Sequence, residues 1–214
     1  MDIIHSPQGA IRSFKEFCVH LLTVIIGILI ALSLEGLLEW NHHRALAQEA
    51  RLNLASEICG NRARLEKGLA SAPDAEDRLK KTMVAIEASR RNRATVPSGL
   101  EWSFGLCPLD SFAWESAAAT GAVAYMRYPE VQQYTRVYLL QAQFLTMQER
   151  TLEKWLELQK WAAMMDANHG PVALTDGELG EIERDASAAL IHTETEENFA
   201  KSLVATYSKA IGGR

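Results

Sequence analysis

Between Phe17 and Leu34 the chain runs for 18 residues without a formally charged side chain, and most of them are Leu, Ile or Val. Coiled into an α-helix, such a run is about 27 Å long at 1.5 Å per residue, close to the roughly 30 Å hydrocarbon core of a bilayer. Glu35 ends the run at headgroup depth, Leu37 and Leu38 carry the apolar surface past it, and Trp40 stands where interfacial aromatics collect. The pattern predicts residues 1–16 as an N-terminal tail, 17–38 as a transmembrane anchor and 39–214 as a soluble helical bundle domain. A cleaved signal peptide and a buried core helix are the competing readings. Against cleavage, Ser33-Leu34-Glu35-Gly36-Leu37 offers no small-x-small site, and the helical pattern continues without a break.

A chain of 214 residues supports one sizeable core plus such an appendage. Its 22 basic and 27 acidic residues leave a net charge of -5, which offers no overall attraction for nucleic acid. Arg12 and Lys15 before the span are matched by Arg44 and Arg51 after it, so charge counting nearly ties on orientation. A short tail followed by a large translocated domain is the commoner arrangement, and it predicts a bacterial inner-membrane protein with a periplasmic domain. Cys59 and Cys107 are a candidate disulfide in that compartment; the alternative is that both are reduced, buried and merely small and apolar.

Beyond the anchor the chain reads as all-α, an N-terminal transmembrane helix continuing into a long helix, with an antiparallel helical bundle. Leu54, Ile58, Leu65 and Leu69 fall on one helical face, and Ser71, Pro73 and Asp74 predict a stop and a fresh start. Leu79, Met83 and Ile86 mark a second, shorter helix that ends near the basic run Arg90, Arg91 and Arg93. Residues 94–108, with Pro97, Gly99, Gly105 and Pro108, read as a loop whose Trp102 and Phe104 tuck onto the bundle. Asp110 is the expected cap of a helix through Ala119, Gly121 interrupts it, and Pro129 opens a long helix reaching about Asn168.

That long helix carries two apolar stripes. One runs through Val131, Tyr134, Tyr138, Leu145, Leu152 and Trp155, and the other through Val137, Leu140, Phe144, Leu158, Trp161 and Met165, so it should be packed on two sides. Asn168, His169, Gly170 and Pro171 end it. Thr175 with Glu178 and Thr193 with Glu196 both have capping-box spacing, which predicts two C-terminal helices or one kinked one.

The segment GILIALSLEGLLEW at 27–40, followed by His42, His43 and Arg44, then EICGN at 57–61 and WESAAATGAVAYM at 114–126, resembles bacterial uncharacterised membrane-anchored proteins. Their shared feature is an N-terminal G-x-L-I-A-L-x-x-E/N-x-x-x-x-W segment ahead of a helical remainder. The resemblance covers the anchor and about half of the remaining chain. It implies a topology and no chemistry, since that family carries no assigned activity or catalytic residue.

Glu35, Glu39 and His42 or His43 recur at helical spacing just past the apolar run, as a proton- or metal-responsive cluster would. The plainer reading is a solvated collar that ends the anchor, because no third ligand class stands at metal spacing. His20, with Thr23 nearby, lies inside the run and either faces another helix or snorkels to the interface. Trp114, Tyr134, Tyr138, Trp155 and Trp161 either line an apolar ligand pocket or fill a core. HExxH, G-x-S-x-G, a P-loop, GxGxxG and CxxC are all missing, so the sequence predicts a non-catalytic protein without a cofactor.

Two functions remain. One is an interaction or scaffold protein of the bacterial envelope, whose partners are the bilayer and either copies of itself or another membrane protein; Gly27, Ala31 and Gly36 would let helices approach. The other is a ligand-binding sensor that signals through a separate membrane partner. A cavity among the aromatics would favour the sensor, and a filled core the scaffold.

Overall fold

A computed structural model describes residues 14–92, 104–167 and 174–212. Four α-helices account for nearly all of them: α1 (Phe14–Asn92), α2 (Phe112–Ala119), α3 (Tyr128–Ala167) and α4 (Asp176–Gly212), with a 3-10 turn over Ala122–Tyr125. No strand occurs among the described residues. Most of the tail, the loop from 93 to 103 with Trp102, the side chain of Met165 and the stop at 168–171 lie outside them.

The chain divides into two units, Met1–Glu49 and Ala50–Arg214. In the first, every residue from Phe14 to His42 is exposed, including His20 and the whole apolar run. Its hydroxyls are satisfied within the helix: Thr23 donates to the Val19 carbonyl at 2.9 Å and Ser33 to the Leu29 carbonyl at 2.6 Å. A helix crossing hydrocarbon would need such bonds, since an unpaired donor there has no water to turn to.

The second unit is built on a seven-residue repeat. The buried residues of α4 are Leu179, Ile182, Ala186, Ala189, Thr193, Glu196, Ala200, Leu203, Tyr207 and Ala210, at steps that alternate three and four. On α3 the same alternation runs through Tyr134, Val137, Gln141, Phe144, Gln148, Thr151, Trp155 and Leu158. On α1 it runs through Asn61, Leu65, Gly68, Ala72, Ala75, Leu79, Thr82, Ile86 and Ser89. A period of 3.5 keeps one seam of each helix turned toward its neighbours, as in a coiled coil.

Cross-contacts give the directions. Between α1 and α3 the paired positions rise together, Arg51 with Glu130, Glu57 with Tyr138 and Asn61 with Gln141, so the two are parallel. Between α3 and α4 one number rises as the other falls, Gln141 with Tyr207, Gln148 with Glu196 and Trp161 with Asp185, so these are antiparallel. Residues 104–114 descend between: Phe104 stacks on Trp155, Ala113 bonds Glu57, and Trp114 stacks on Tyr138. The bundle is thus up-down-up-down with its second leg only partly helical. Of the two stripes of α3, Tyr134, Tyr138 and Trp155 of the first and Val137, Phe144, Leu158 and Trp161 of the second are buried.

Three local expectations are corrected. Helix α1 does not stop at Pro73, although proline removes the bond to the Leu69 carbonyl and costs about 3 kcal/mol in a helix interior. The seam residues Leu65 and Ala75 are buried on either side of it, and the packing on both flanks holds the helix through the defect. Asp110 does not cap α2; Ser111 precedes it without a side-chain capping bond, and Asp110 pairs with Arg64 at 2.6 Å instead. Thr193 starts no helix, because α4 is continuous and the Thr193 hydroxyl donates to the Ala189 carbonyl at 2.8 Å. Thr175 and Glu178 do form the box: the Thr175 N–H donates to Glu178 Oε2 at 2.7 Å and the Glu178 N–H to Thr175 Oγ1 at 3.3 Å. Gly121, at φ 73°, makes the left-handed break between α2 and the 3-10 turn.

Candidate functional site

The seam is unusually polar, and its polar members bond across the bundle in layers. Asn61 Nδ2 donates to Gln141 Oε1 at 3.1 Å and to the Asp110 carbonyl at 2.7 Å, and the Tyr207 hydroxyl donates to the same Gln141 oxygen at 2.6 Å. Gln141 Nε2 also donates to the Asp110 carbonyl at 2.8 Å, and the Asp110 N–H returns to Asn61 Oδ1 at 3.0 Å. One side chain from each of α1, α3 and α4 thus joins a layer closed on the Asp110 backbone, a register-setting arrangement that an apolar layer would not provide.

One turn earlier on α1, Glu57 accepts the Tyr138 hydroxyl at 2.6 Å and the Ala113 N–H at 2.8 Å. Burial and the Glu57 carboxylate raise the Tyr138 pKa, and burial raises that of Tyr207, so both phenols are fixed as donors. Tyr138→Phe removes a charge-assisted bond worth about 1.5–3 kcal/mol. The expected fall in melting temperature is about 3–12 °C, at roughly 2–4 °C per kcal/mol for a domain of this size, read by circular dichroism.

Farther along the seam lies a pocket of about 310 Å³. It exists because three successive seam positions of α1, Gly68, Ala72 and Ala75, are small where Leu65 and Leu79 on either side are large. Phe104 and Cys107 of the descending leg, Phe144 of α3 and Thr193 and Glu196 of α4 complete its walls. Glu196 is only 9% exposed. Its Oε1 accepts from Gln148 at 3.3 Å, while its Oε2 is buried with no hydrogen-bond partner among the described residues. Burial pushes the Glu196 carboxyl above the usual range, against the opposing hydrogen bond of Gln148. Burial also raises the Cys107 thiol, which keeps it protonated and a poor nucleophile.

A raised carboxyl contributes stability that is full below its ordinary value near 4.5 and is lost as pH rises through the raised value. Glu196→Gln should therefore gain on the parent protein as pH rises from 4 to 8 in urea unfolding. The ion-paired carboxyls whose pKa is lowered, Glu130 by Arg51 and Glu197 by Lys201, are common to both proteins and cancel. A constant gap between the two would mean that Glu196 titrates as an ordinary surface glutamate.

The residues anticipated from sequence fall elsewhere. Tyr134, Tyr138, Trp155 and Trp161 are buried core, Trp114 is half-buried on Tyr138, and none of these five lines this pocket. Trp155 donates to Thr193 Oγ1 at 3.1 Å and Trp161 to Asp185 Oδ2 at 3.0 Å. Cys59 and Cys107 are free thiols, which corrects the candidate disulfide. Cys59 is exposed, and Cys107 lies against Gly68, nine residues and about 13 Å farther along α1, well beyond the reach of an S–S bridge.

In the collar, Glu39 and His43 approach to 3.9 Å one helical turn apart, while Glu35 and His42 stay exposed. The rings of His42 and His43 are 5.9 Å apart and tilted, and Arg44 lies over the Trp40 ring at 5.4 Å. Among the described residues no three His, Cys, Asp or Glu side chains converge as a metal site.

The pocket residues went unanticipated because Gly68, Ala72 and Ala75 announce themselves only once the 3.5-residue seam is drawn through them. No family model, curated protein or solved structure matches the chain, so the functional reading rests on this geometry.

Proposed function

We propose that this chain is a single-pass membrane protein of the bacterial envelope whose helical bundle serves interaction rather than catalysis. The observation that carries the reading is the exposure of the apolar run. Residues 17–34 are long and apolar enough to cross a bilayer, yet none of that surface is buried against protein. The core helix of a soluble protein would bury one stripe of such a run, as α3 and α4 do. A signal sequence would be followed by a cleavable extended segment, whereas α1 is helical through the whole collar.

Open space at Gly27 and Gly36, where an added Cβ would meet nothing within 4 Å, suits close approach of a second span, from another copy or another membrane protein. With Cys59 and Cys107 unpaired, the periplasmic assignment rests on the span standing ahead of a large domain. The test is fractionation of expressing bacteria, with reporters active on one side only fused after Arg214. The protein should stay in the membrane pellet through an alkaline carbonate wash and dissolve in detergent, and the exported reporter should be the active one. Recovery in the wash would overturn the anchor; activity of the cytoplasmic reporter would overturn the sidedness alone.

A further inference from the structure

We infer that the groove between the first turns of α3 and the last turns of α4 binds the phosphodiester of an anionic phospholipid headgroup, held by Arg136 and Lys209. The groove measures about 660 Å³, and Arg136, Ser202 and Lys209 in its lining are exposed. That lining contains the two cations and no carboxylate. In a chain with 27 acidic residues against 22 basic ones this is a local reversal: residues 131–148 of α3 and 198–212 of α4 contain no Asp or Glu. The acid nearest the groove in sequence on each helix is neutralised from within the bundle, Glu130 by Arg51 at 2.6 Å and Glu197 by Lys201 at 2.8 Å. Among the described residues Arg136 and Lys209 make no ion pair, so their charge is left for a ligand.

The neutral groups of the groove suit an anion as well. The Thr206 hydroxyl donates to the Ser202 carbonyl at 3.0 Å and Gln133 Nε2 to the Lys209 carbonyl at 3.3 Å, which covers backbone oxygens that would repel a phosphate. The Gln132 amide and the Ser202 hydroxyl are exposed donors in the same lining, and a guanidinium adds a fork that matches two phosphate oxygens. The place of the groove selects a lipid as the source of the phosphate. Arg51 meets Glu130 one residue from Pro129 of the lining, so the groove lies at the end of the bundle that begins at Ala50, twelve residues after Leu38. The apolar run is therefore tethered to this end. Tyr128, next to Pro129, is 73% exposed and Tyr125 is 45% exposed, and tyrosine is a residue type that collects at headgroup depth. The choice of a lipid rests on the reading of residues 17–34 as a membrane span; the anion site itself does not.

The experiment is isothermal titration of the full chain in dodecyl maltoside with dihexanoylphosphatidylglycerol and, in parallel, with dihexanoylphosphatidylcholine, whose ammonium cancels the phosphate charge, and with inorganic phosphate. Titration into detergent alone supplies the baseline for partition into micelles. Saturable binding of the anionic lipid is expected, at least about tenfold weaker for the choline lipid, for inorganic phosphate and for the double variant Arg136→Gln with Lys209→Gln, as the loss of two cations beside a headgroup requires. Equal binding of the two lipids, an unchanged affinity in the double variant, or no saturable binding of the anionic lipid would each overturn the proposal. Inorganic phosphate binding as tightly as the anionic lipid would overturn the lipid as the source. Both substituted side chains are exposed, and the comparison of ligands on the parent protein decides the matter even if the double variant does not fold. The titration makes no use of the span, so its failure counts against the groove, whereas release of the protein in the carbonate wash counts against the anchor.

Discussion

Replacing Trp155 with alanine should lower the melting temperature of the protein in detergent by about 6–20 °C. Trp155 is 1% exposed and sits where the helices meet, in one buried cluster with Leu79, Ile86, Leu158 and Ile182. Truncating a buried tryptophan removes its transfer free energy and leaves a cavity that the surroundings only partly close, at a cost of about 3–5 kcal/mol. For a domain of this size each kcal/mol moves the midpoint by roughly 2–4 °C. Two further contacts go with the ring. The indole N–H loses Thr193 Oγ1, and Phe104 loses the face on which it stacks at 5.9 Å, so the descending leg loosens with the core. Trp155→Phe keeps most of the volume and the stacking partner and should recover more than half of the loss. A thermal scan at 222 nm that moves by less than about 3 °C for Trp155→Ala would mean that this seam is not where the bundle is held together.

What could be read from the sequence, and what could not, divides along the same seam. The apolar run needs only a count of uncharged residues. The limits of α3 were legible from Pro129 in its first turn, and its start at Tyr128 differs from that reading by one residue. The start of α4 was legible because Thr175 and Glu178 follow Gly170 and Pro171, so a capping box had a break to cap.

Thr193 and Glu196 repeat that spacing inside an unbroken helix, where the two side chains serve the core instead: one accepts from Trp155 and the other from Gln148. Spacing alone does not distinguish the two cases; the presence of a break does. Pro73 is the reverse case, a real break signal overridden by seam contacts on both sides of it. A search for apolar stripes also fails at Asn61, Thr82, Ser89, Gln141, Gln148 and Thr151, all buried. Asn61 and Gln141 bond each other and the Asp110 carbonyl, Gln148 donates to Glu196, and the Thr82 and Thr151 hydroxyls donate to the Arg78 and Met147 carbonyls, which is what permits such polar groups in a core at all. Of the two readings of Tyr134, Tyr138, Trp155 and Trp161, pocket lining or core filling, their burial fits the second, and the pocket has other walls. It formed instead where side-chain volume is missing, since large rings fill space and glycine and alanine leave it.

Arginine at Gly27 and Ile30 should move the protein from the membrane pellet to the soluble fraction. Both positions lie near the middle of the uncharged run and both are exposed. An arginine at the centre of a spanning helix costs about 2.5–3.5 kcal/mol on insertion scales, so a pair costs about 5–7 kcal/mol. At 1.36 kcal/mol per factor of ten, that disfavours insertion by roughly four to five powers of ten. Leucine at the same two positions keeps the run apolar and should leave the pellet unchanged. The unit Ala50–Arg214 contains neither position, so its melting curve should be the same in the arginine and leucine proteins. That combination discriminates the competing readings. If residues 17–34 were an exposed helix of a soluble protein, two arginines on a solvated surface would cost almost nothing, and both variants would fractionate as the parent does. If the segment spans a bilayer, solvation of the charges is lost only on insertion, so the fractionation changes while the fold of the bundle does not.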